Sequence, residues 1–288
     1  MTERTPQRAY LDLQKLARDQ GRNTQQLFVL YIHERFLARV AESQYADKLV
    51  LKGGMLLAVL DVRRGTRDAD MLARGLAGDE SRLKAVIGEI ASIPMADGVD
   101  FDTTAISITA IREGADSEGI RLSQPASLGG AELKLRLDLS FGDPVEPQRI
   151  DYPTLLGDRG FPLLGYPLES VIAEKADTMM FLGDANTRDR DYGDIYLLSQ
   201  IHTVEAETLR RAMQSVAQHR GHEVRPLGPL LETLRKSRQQ PWEAFRARAG
   251  LPNLPERFAD VVDAVVDLLD GLQGAHGSTW NPATREWE

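Results

Sequence analysis

Residues 52–73, KGGMLLAVLDVRRGTRDADMLA, contain a glycine pair, a short apolar run and two aspartates one residue apart. With the preceding segment KLVL, the pair Gly53 and Gly54 predicts a strand that ends in a turn and leads into a helix, and TRDADMLA predicts a second strand. Alternate residues of a strand point to the same face, so Asp68 and Asp70 would project side by side. Two carboxylates this close repel each other unless a cation lies between them, so the stretch indicates either a cation site or a solvated pair of acids on an edge strand.

The sequence on either side of this stretch predicts an α+β protein. Two helices precede it, and the second, QQLFVLYIHERFLARVAES, is expected to have Thr24 as its N-cap. A helix over residues 79–93 and several short β segments separated by Gly, Pro and Asp follow it. After Pro162 the chain reads as successive helices as far as about residue 272, and the tail GAHGSTWNPATREWE shows no clear periodicity. We therefore expect residues 1–160 to form a mixed sheet flanked by helices, and residues 161–288 to form a helical bundle.

The β segment AELKLRLDL, residues 131–139, alternates between apolar and polar residues. Leucines would lie on one face and charged residues on the other, with Asp138 on the polar face near the end of the strand. Asp138 could then complete a cluster of three carboxylates with Asp68 and Asp70. Carboxylate oxygens, together with substrate phosphates, are the ligands that Mg²⁺ prefers in proteins.

The composition restricts the class of protein. The chain has 288 residues, of which 42% are hydrophobic and 27% charged, and it contains no cysteine, which excludes disulfides and thiolate chemistry. The charged N-terminus lacks the apolar run of a signal peptide, and no stretch approaches the roughly eighteen apolar residues of a membrane span, so a cytoplasmic protein is expected. A net charge of −8 argues against a protein that coats nucleic acid, and no DNA partner is expected.

The expected helical half carries further candidate residues. Lys175, within SVIAEKADTMM, would either reach a triphosphate or extend its amine to solvent. Asp191 and Asp194, within RDRDYGDIYLL, lie three residues apart on one helix face and would either orient a site or form local ion pairs. Residues 201–250 carry nine Lys and Arg against five Glu, which fits a solvated surface or a surface that contacts RNA phosphates.

Taken in order, these features resemble the nucleotidyltransferase (DNA polymerase β-like) superfamily. The resemblance is closest to the AbiEii-type toxin family, the MenT-like nucleotidyltransferases of toxin–antitoxin systems, and it extends over about residues 50–200. The motifs that carry it are LKGGMLLAVL, RRGTRDADM, LRLDLSFGD, LESVIAEKAD and RDRDYGDIYLL. It implies a nucleotidyltransferase-type sheet and transfer of NMP from an NTP, dependent on Mg²⁺ or Mn²⁺, to an acceptor such as a tRNA 3′ end. Such a toxin would inhibit translation and growth, and a cognate antitoxin would be its partner.

The resemblance also assigns roles to individual residues. Asp68, Asp70 and Asp138 would hold the metal ion, and Asp138 would help to activate the attacking hydroxyl. Lys175 and Asp194 would complete the catalytic set, with Lys175 at the triphosphate. The residues expected to contact the nucleotide are Lys52, Gly53, Gly54, Thr66, Arg67 and Lys175.

Two positions depart from the family pattern. Met55 stands where a small hydroxyl residue commonly follows the glycine pair, and Ala69 stands where a bulky apolar residue usually separates the two acids. Met55 leaves open a second function, a non-catalytic nucleotide-binding module with a decayed site. NTP binding without turnover would identify such a module.

A metal-dependent nuclease is a third possible function. Glu132 and Lys134 form the E-x-K half of a restriction-type nuclease site, and Asp100 or Asp102 could supply the acid that such a site needs on a preceding strand. This alternative leaves the pair of acids in TRDADM without a role. Shortening of labelled RNA or DNA with Mg²⁺ and no NTP would distinguish a nuclease from a transferase.

Overall fold

The computed structural model describes residues 3–76, 79–113, 117–157, 159–251 and 253–288. The chain divides into two compact units. The first comprises Met1–Val59, Gly65–Asp143 and Pro147–Tyr166, and the second comprises Leu60–Arg64, Pro144–Glu146 and Pro167–Glu288. The main part of the second unit therefore begins at Pro167, a little after the expected start at residue 161. Within the described ranges, no helix has both the length and the apolar character that crossing a membrane requires.

The first unit contains four helices and eight strands among the described residues. Its helices are α1 (Pro6–Asp19), α2 (Thr24–Glu42), α3 (Gly53–Leu56) and α4 (Glu80–Ala91). Its strands are β1 (Leu49–Lys52), β2 (Ala69–Ala73), β3 (Val99–Phe101), β4 (Ser107–Glu113), β5 (Ser117–Leu128), β6 (Ala131–Phe141), β7 (Gln148–Tyr152) and β8 (Phe161–Gly165). The prediction of a mixed sheet with flanking helices is confirmed, although β8 was not predicted.

The described strands of the first unit form one sheet in the order β3-β5-β6-β2-β1-β8-β7. The long strand β5 pairs with β3 near one end and with β4 over the rest of its length. Parallel pairing joins β2 to β6 and β1 to β8, whereas β1 and β2 are antiparallel, as are β5 and β6. The two central strands β2 and β6 therefore run side by side in the same direction.

Side-chain caps explain where the helices of this unit begin. Asn23 caps α2, since its side chain accepts a hydrogen bond from the Gln26 N–H, and Thr24 is the first helical residue. The prediction of Thr24 as the N-cap was therefore wrong by one position, because Asn is at least as good a cap as Thr. Asp79 caps α4 by accepting from the Ser81 N–H, which agrees with the predicted start of this helix near residue 79.

The core of the first unit follows the predicted alternation on β6. The leucines at 133, 135, 137 and 139 are buried, and the charged residues at 132, 134 and 136 on the other face are exposed. The covered side of the sheet therefore carries aliphatic side chains, and the opposite side carries polar ones, including Asp138. This separation places the candidate acids on the polar face.

The second unit is mainly helical, and its C-terminal segment forms a small sheet. Its α-helices are α5 (Leu168–Leu182), α6 (Asp189–Ile201), α7 (Ala206–Arg220), α8 (Glu232–Ser237), α9 (Gln239–Ala249) and α10 (Phe258–Gly271). Strands β9 (Val204–Glu205), β10 (Thr279–Asn281) and β11 (Glu286–Trp287) form an antiparallel sheet. The tail after residue 272, which showed no periodicity, is thus ordered by a hairpin whose Trp280 is buried and donates to the Ser199 carbonyl.

Candidate active site

One level of the first unit's sheet carries four charged residues on adjacent strands. Asp70 of β2 lies in register with Asp138 of β6, Lys52 of β1 lies in register with Asp70, and Arg121 of β5 lies opposite Asp138. Neighbouring strands are about 4.8 Å apart and paired residues point to the same face, so the four side chains form a row. The row places two acids at its centre and one cation at each end.

A tight hairpin sets the position of Arg121 in this row. Gly129 and Gly130 both have positive φ, +56° and +91°, and connect β5 to β6 as the only two residues between Leu128 and Ala131. Two-residue hairpins with positive φ at both positions fix the register of the strands that they join. Arg121 was not among the predicted residues, although counting back equally from the two glycines in SLGGAEL would have placed it opposite Asp138.

Arg121 forms a bidentate ion pair with Asp138. Its Nε and Nη2 donate to Oδ1 and Oδ2 of Asp138 at 2.7 and 2.6 Å, and Nη2 lies 3.7 Å from Oδ2 of Asp68. The bonds to Asp138 raise the pKa of the Arg121 guanidinium above its ordinary value. One guanidinium thus faces two of the three predicted metal-holding acids.

The glycine turn is packed against Asp70. Gly53 has a φ of +62°, and a Cβ at this position would overlap the Asp70 carboxylate. The Gly54 N–H points at Oδ2 of Asp70, with an N···O distance of 3.4 Å. The helix here, Gly53–Leu56, has only four residues, so little helix dipole is available, and contact of the two glycines with a nucleotide stays a prediction. The turn therefore serves to position Asp70.

The three acids suit a divalent ion in their chemistry. Within the described part of the chain, no three His, Asp or Glu side chains are arranged closely enough to hold a metal ion. Nevertheless Asp70 and Asp138 lie in register, Asp68 is one residue before β2, and Arg121 occupies the place of a cation between Asp68 and Asp138. Carboxylate oxygens, together with substrate phosphates, are the ligands that Mg²⁺ prefers, so the chemistry of these three residues fits this ion.

Lys52 pairs with a carboxylate of its own unit. Its Nζ donates to Oδ2 of Asp143 at 3.0 Å, and the hydroxyls of Ser140 and Tyr166 donate to the same oxygen at 2.6 and 2.7 Å. Burial alone would raise the pKa of Asp143, but Lys52 and the two hydroxyls hold that pKa below its ordinary value. The Lys52 side chain is 5% exposed. Its contact with a nucleotide stays a prediction.

Some residues near Asp68 and Asp70 are polar or exposed, and others are buried in the core. The Thr66 hydroxyl donates to the backbone carbonyl and to Oδ1 of Asp68, at 3.1 and 3.0 Å, and so helps to orient that carboxylate. Arg67 is exposed. Met55 and Ala69, the two departures from the family pattern, are buried in the core. They therefore affect packing, and Met55 gives little support to a decayed site.

In the second unit, Lys175 and Asp194 belong to a buried ion cluster. Nζ of Lys175 on α5 donates to Asp191 at 2.9 Å and to Asp194 at 2.8 Å, both on α6. Arg64 donates twice to Asp194, at 2.8 and 2.9 Å, and Arg188 donates to Asp191 at 2.5 Å. Burial would raise the pKa of both carboxyls, but these cations hold both pKa values below the ordinary value. The catalytic roles assigned to Lys175 and Asp194 stay predictions.

We expect Lys175→Gln to lower the free energy of unfolding at pH 7 by about 3 kcal/mol, because two buried carboxylates lose their shared cation. Their folded-state pKa values lie below the unfolded value of about 3.9, so the unfolded chain binds more protons in acid. Their contribution is present above about pH 4 and is lost as the pH falls, so the difference between variant and wild type should shrink towards pH 3.

Urea unfolding at several pH values measures this difference. Lys236→Gln is the matched control, because it removes an ion pair with Glu232 in which both side chains are 74% exposed, and it should change little. A deficit for Lys175→Gln that is the same at pH 7 and pH 3 would contradict the cluster.

Most arginines of the C-terminal helices have local partners rather than an open surface. The pairs are Arg210 with Glu207, Arg211 with Thr208, Arg220 with Asp177, Arg225 with the Met180 carbonyl, Arg235 with Asp263 and Arg238 with Asp189. Among the described residues, Arg246 and Arg248, at the end of α9, have no such partner.

The structure does not assemble the alternative nuclease site. Glu132 and Lys134 are exposed on β6, but Ser127 of β5 lies between Asp100 of β3 and Glu132. Two strand spacings, about 10 Å, therefore separate the two acids. Asp102 instead accepts hydrogen bonds from the N–H and hydroxyl of Thr104.

The fold has solved counterparts. JHP933 from Helicobacter pylori aligns with a TM-score of 0.51 over 86% of this chain and 96% of its own, at 16% identity. A second structure, described as a proposed nucleotidyltransferase from H. pylori, aligns with a TM-score of 0.45 over 91% of this chain and 97% of its own, at 15% identity. No curated protein matches the chain in sequence. The likeness to JHP933 shows a shared fold.

The mixed sheet, with acids in register on β2 and β6, agrees with a protein of the nucleotidyltransferase class. A family model described as "Nucleotidyl transferase AbiEii toxin, Type IV TA system" matches residues 35–264. The chain therefore belongs to the AbiEii nucleotidyltransferase toxin family. The match confirms the resemblance carried by the motifs, and the family implies an NTP substrate and a cognate antitoxin. It leaves the nuclease without support.

Proposed function

We propose that the protein is a Mg²⁺-dependent toxin of the cytoplasm that transfers NMP from an NTP to a tRNA 3′ end and thereby inhibits translation and growth. The observation that carries the proposal is the pairing of Asp70 and Asp138 in register on β2 and β6, with Asp68 joined to Asp138 through Arg121. Family membership supports nucleotide transfer. The tRNA acceptor and the metal rest on the resemblance and on the donor set.

In the proposed reaction, a hydroxyl oxygen of the acceptor forms a bond to the α-phosphorus of the NTP. The bond from that phosphorus to its bridging oxygen breaks, and pyrophosphate leaves. Mg²⁺, when bound, supplies positive charge against the triphosphate. Asp68, Asp70 and Asp138 provide the negative charge for that ion, and Asp138 also accepts the proton of the hydroxyl. The Gly53 turn keeps the Asp70 carboxylate in place.

Incubation with each α-labelled NTP, Mg²⁺ and total RNA tests this function. We expect label from one or more NTPs to enter RNA of tRNA length, and an Asp70→Ala variant to transfer none. Label in a protein or small molecule would show that the protein transfers NMP but that its acceptor is not tRNA. Absence of transfer from every NTP, or equal transfer by Asp70→Ala, would refute the proposal, and RNA shortened without NTP would indicate a nuclease.

RNA binding should depend on Arg246 and Arg248. If both contact phosphates of single-stranded RNA, the double variant Arg246→Gln/Arg248→Gln should bind more weakly, and its slope of log affinity against log salt should fall by about 1.4. Filter binding at several salt concentrations measures the slope. The matched control is Arg235→Gln/Lys236→Gln, whose charges are paired with Asp263 and Glu232. Equal salt slopes in both double variants would show that Arg246 and Arg248 do not contact RNA phosphates.

A further inference from the structure

Arg121 lies where a bound cation would lie between Asp68 and Asp138. Its guanidinium donates to Asp138 at 2.7 and 2.6 Å and approaches Asp68 to 3.7 Å. Both acids belong to the set proposed to hold the divalent ion. In a bidentate pair the carboxylate presents both of its oxygens to the guanidinium, and a second cation at the same place would be repelled by the first.

Arg121 is the member of this group with room to move. Its side chain is 41% exposed, whereas those of Asp68 and Asp138 are 25% and 7% exposed. Asp138 is held on a central strand, while the long Arg121 side chain needs only to rotate towards solvent to release it. Departure of the guanidinium would leave two close carboxylates that repel each other, so either the guanidinium or another cation is needed there.

We propose that Arg121 is an internal cation that holds Asp138 and Asp68 in position and that the divalent ion displaces. The inference rests on the proposed function, because that function supplies the divalent ion. The competition sets the metal concentration at which the acids become available, since binding of one cation weakens binding of the other. Arg121 is a positioning residue, because it acts through the two carboxylates.

Binding of Mn²⁺ to the nucleotide-free protein tests this role. Electron paramagnetic resonance of free Mn²⁺ gives the dissociation constant for wild type, Arg121→Gln and Arg121→Lys. The dissociation constant of Arg121→Gln for Mn²⁺ should be lower than that of wild type by a factor on the order of ten. Arg121→Lys should fall between, because it keeps the charge without the paired donors. Lys134→Gln, on the same sheet face and also one charge lower but four residues before Asp138, should match wild type.

Thermal unfolding gives a second readout. In EDTA, Arg121→Gln should melt below wild type because Asp68 and Asp138 lose their cation, and saturating Mn²⁺ should raise its Tm by more than it raises that of wild type. Should Arg121→Gln fail to fold, Arg121→Lys carries both measurements.

Three results would overturn the role of Arg121. Equal Mn²⁺ affinity in wild type and both Arg121 variants would show that Arg121 does not compete with the metal, and the proposed function would still stand. A gain in Mn²⁺ affinity for Lys134→Gln as large as that for Arg121→Gln would show that only the net charge of the protein matters. Absence of Mn²⁺ binding in every protein, with NMP transfer also absent, would overturn the proposed function together with the inference.

Discussion

Asp70→Asn should lower the rate of NMP transfer by roughly a thousandfold or more while the protein stays folded. Asparagine keeps the size of the side chain but removes the negative charge on which a divalent ion depends, and such an ion contributes several kcal/mol to stabilising the transition state. Each 1.36 kcal/mol corresponds to a factor of about ten in rate. The free energy of unfolding should change by about 1 kcal/mol or less, because Asp70 lies on the polar face and not among the core side chains.

Single-turnover transfer from labelled NTP, with urea unfolding beside it, separates the two effects. Asp79→Asn is the matched control: it makes the same chemical change at the N-cap of α4, where asparagine caps as well as aspartate. The control should keep both activity and stability. An Asp70→Asn variant that retains a tenth or more of wild-type activity would show that this carboxylate does not hold the metal.

Gly53→Ala should cost about a hundredfold in activity with only a moderate loss of stability. The alanine would adopt a φ near +62°, at a cost of roughly 1–2 kcal/mol, and its Cβ would overlap the Asp70 carboxylate. Asp70 would then have to shift, and a shift of about 1 Å at a reacting centre costs about a hundredfold in rate. The same variant should also bind Mn²⁺ more weakly.

Gly21→Ala separates the backbone effect from the displacement of Asp70. Gly21 has a φ of +61°, and among the described residues no heavy atom lies within 4 Å of the position a Cβ would take. Gly21→Ala should therefore lose only the stability that the backbone conformation costs, Gly53→Ala should lose that and somewhat more because of the overlap with Asp70, and only Gly53→Ala should lose activity. Similar activity in the two variants would show that contact between Gly53 and Asp70 does not matter for the reaction.

The parts of the fold that could be predicted are those with strong local signals. The alternation on β6 predicted its buried and exposed faces correctly, because a strand has a fixed period of two. The acid Asp79 marked the start of α4, because capping is a local interaction. The tail after residue 272 was missed because its pairing partner, β9, lies more than seventy residues earlier, and such pairing leaves no local pattern.

The candidate site was predictable in its acids but not in their partners. The spacing of Asp68 and Asp70 follows from strand geometry, whereas the register of Asp70 with Asp138 joins two strands far apart in sequence. The partners of Lys175, which include an aspartate sixteen residues away, depend on how α5 packs on α6. Arg121 is the exception, since the glycine hairpin of β5 and β6 contains enough information to place it.

The most direct measurement is a crystal structure grown with Mn²⁺ and a non-hydrolysable NTP analogue, with data collected at the manganese absorption edge. The account predicts anomalous density in contact with the carboxylates of Asp70, Asp68 and Asp138, and Arg121 turned away from Asp138. Manganese bound elsewhere, or Arg121 still paired with Asp138 beside a bound nucleotide, would contradict it.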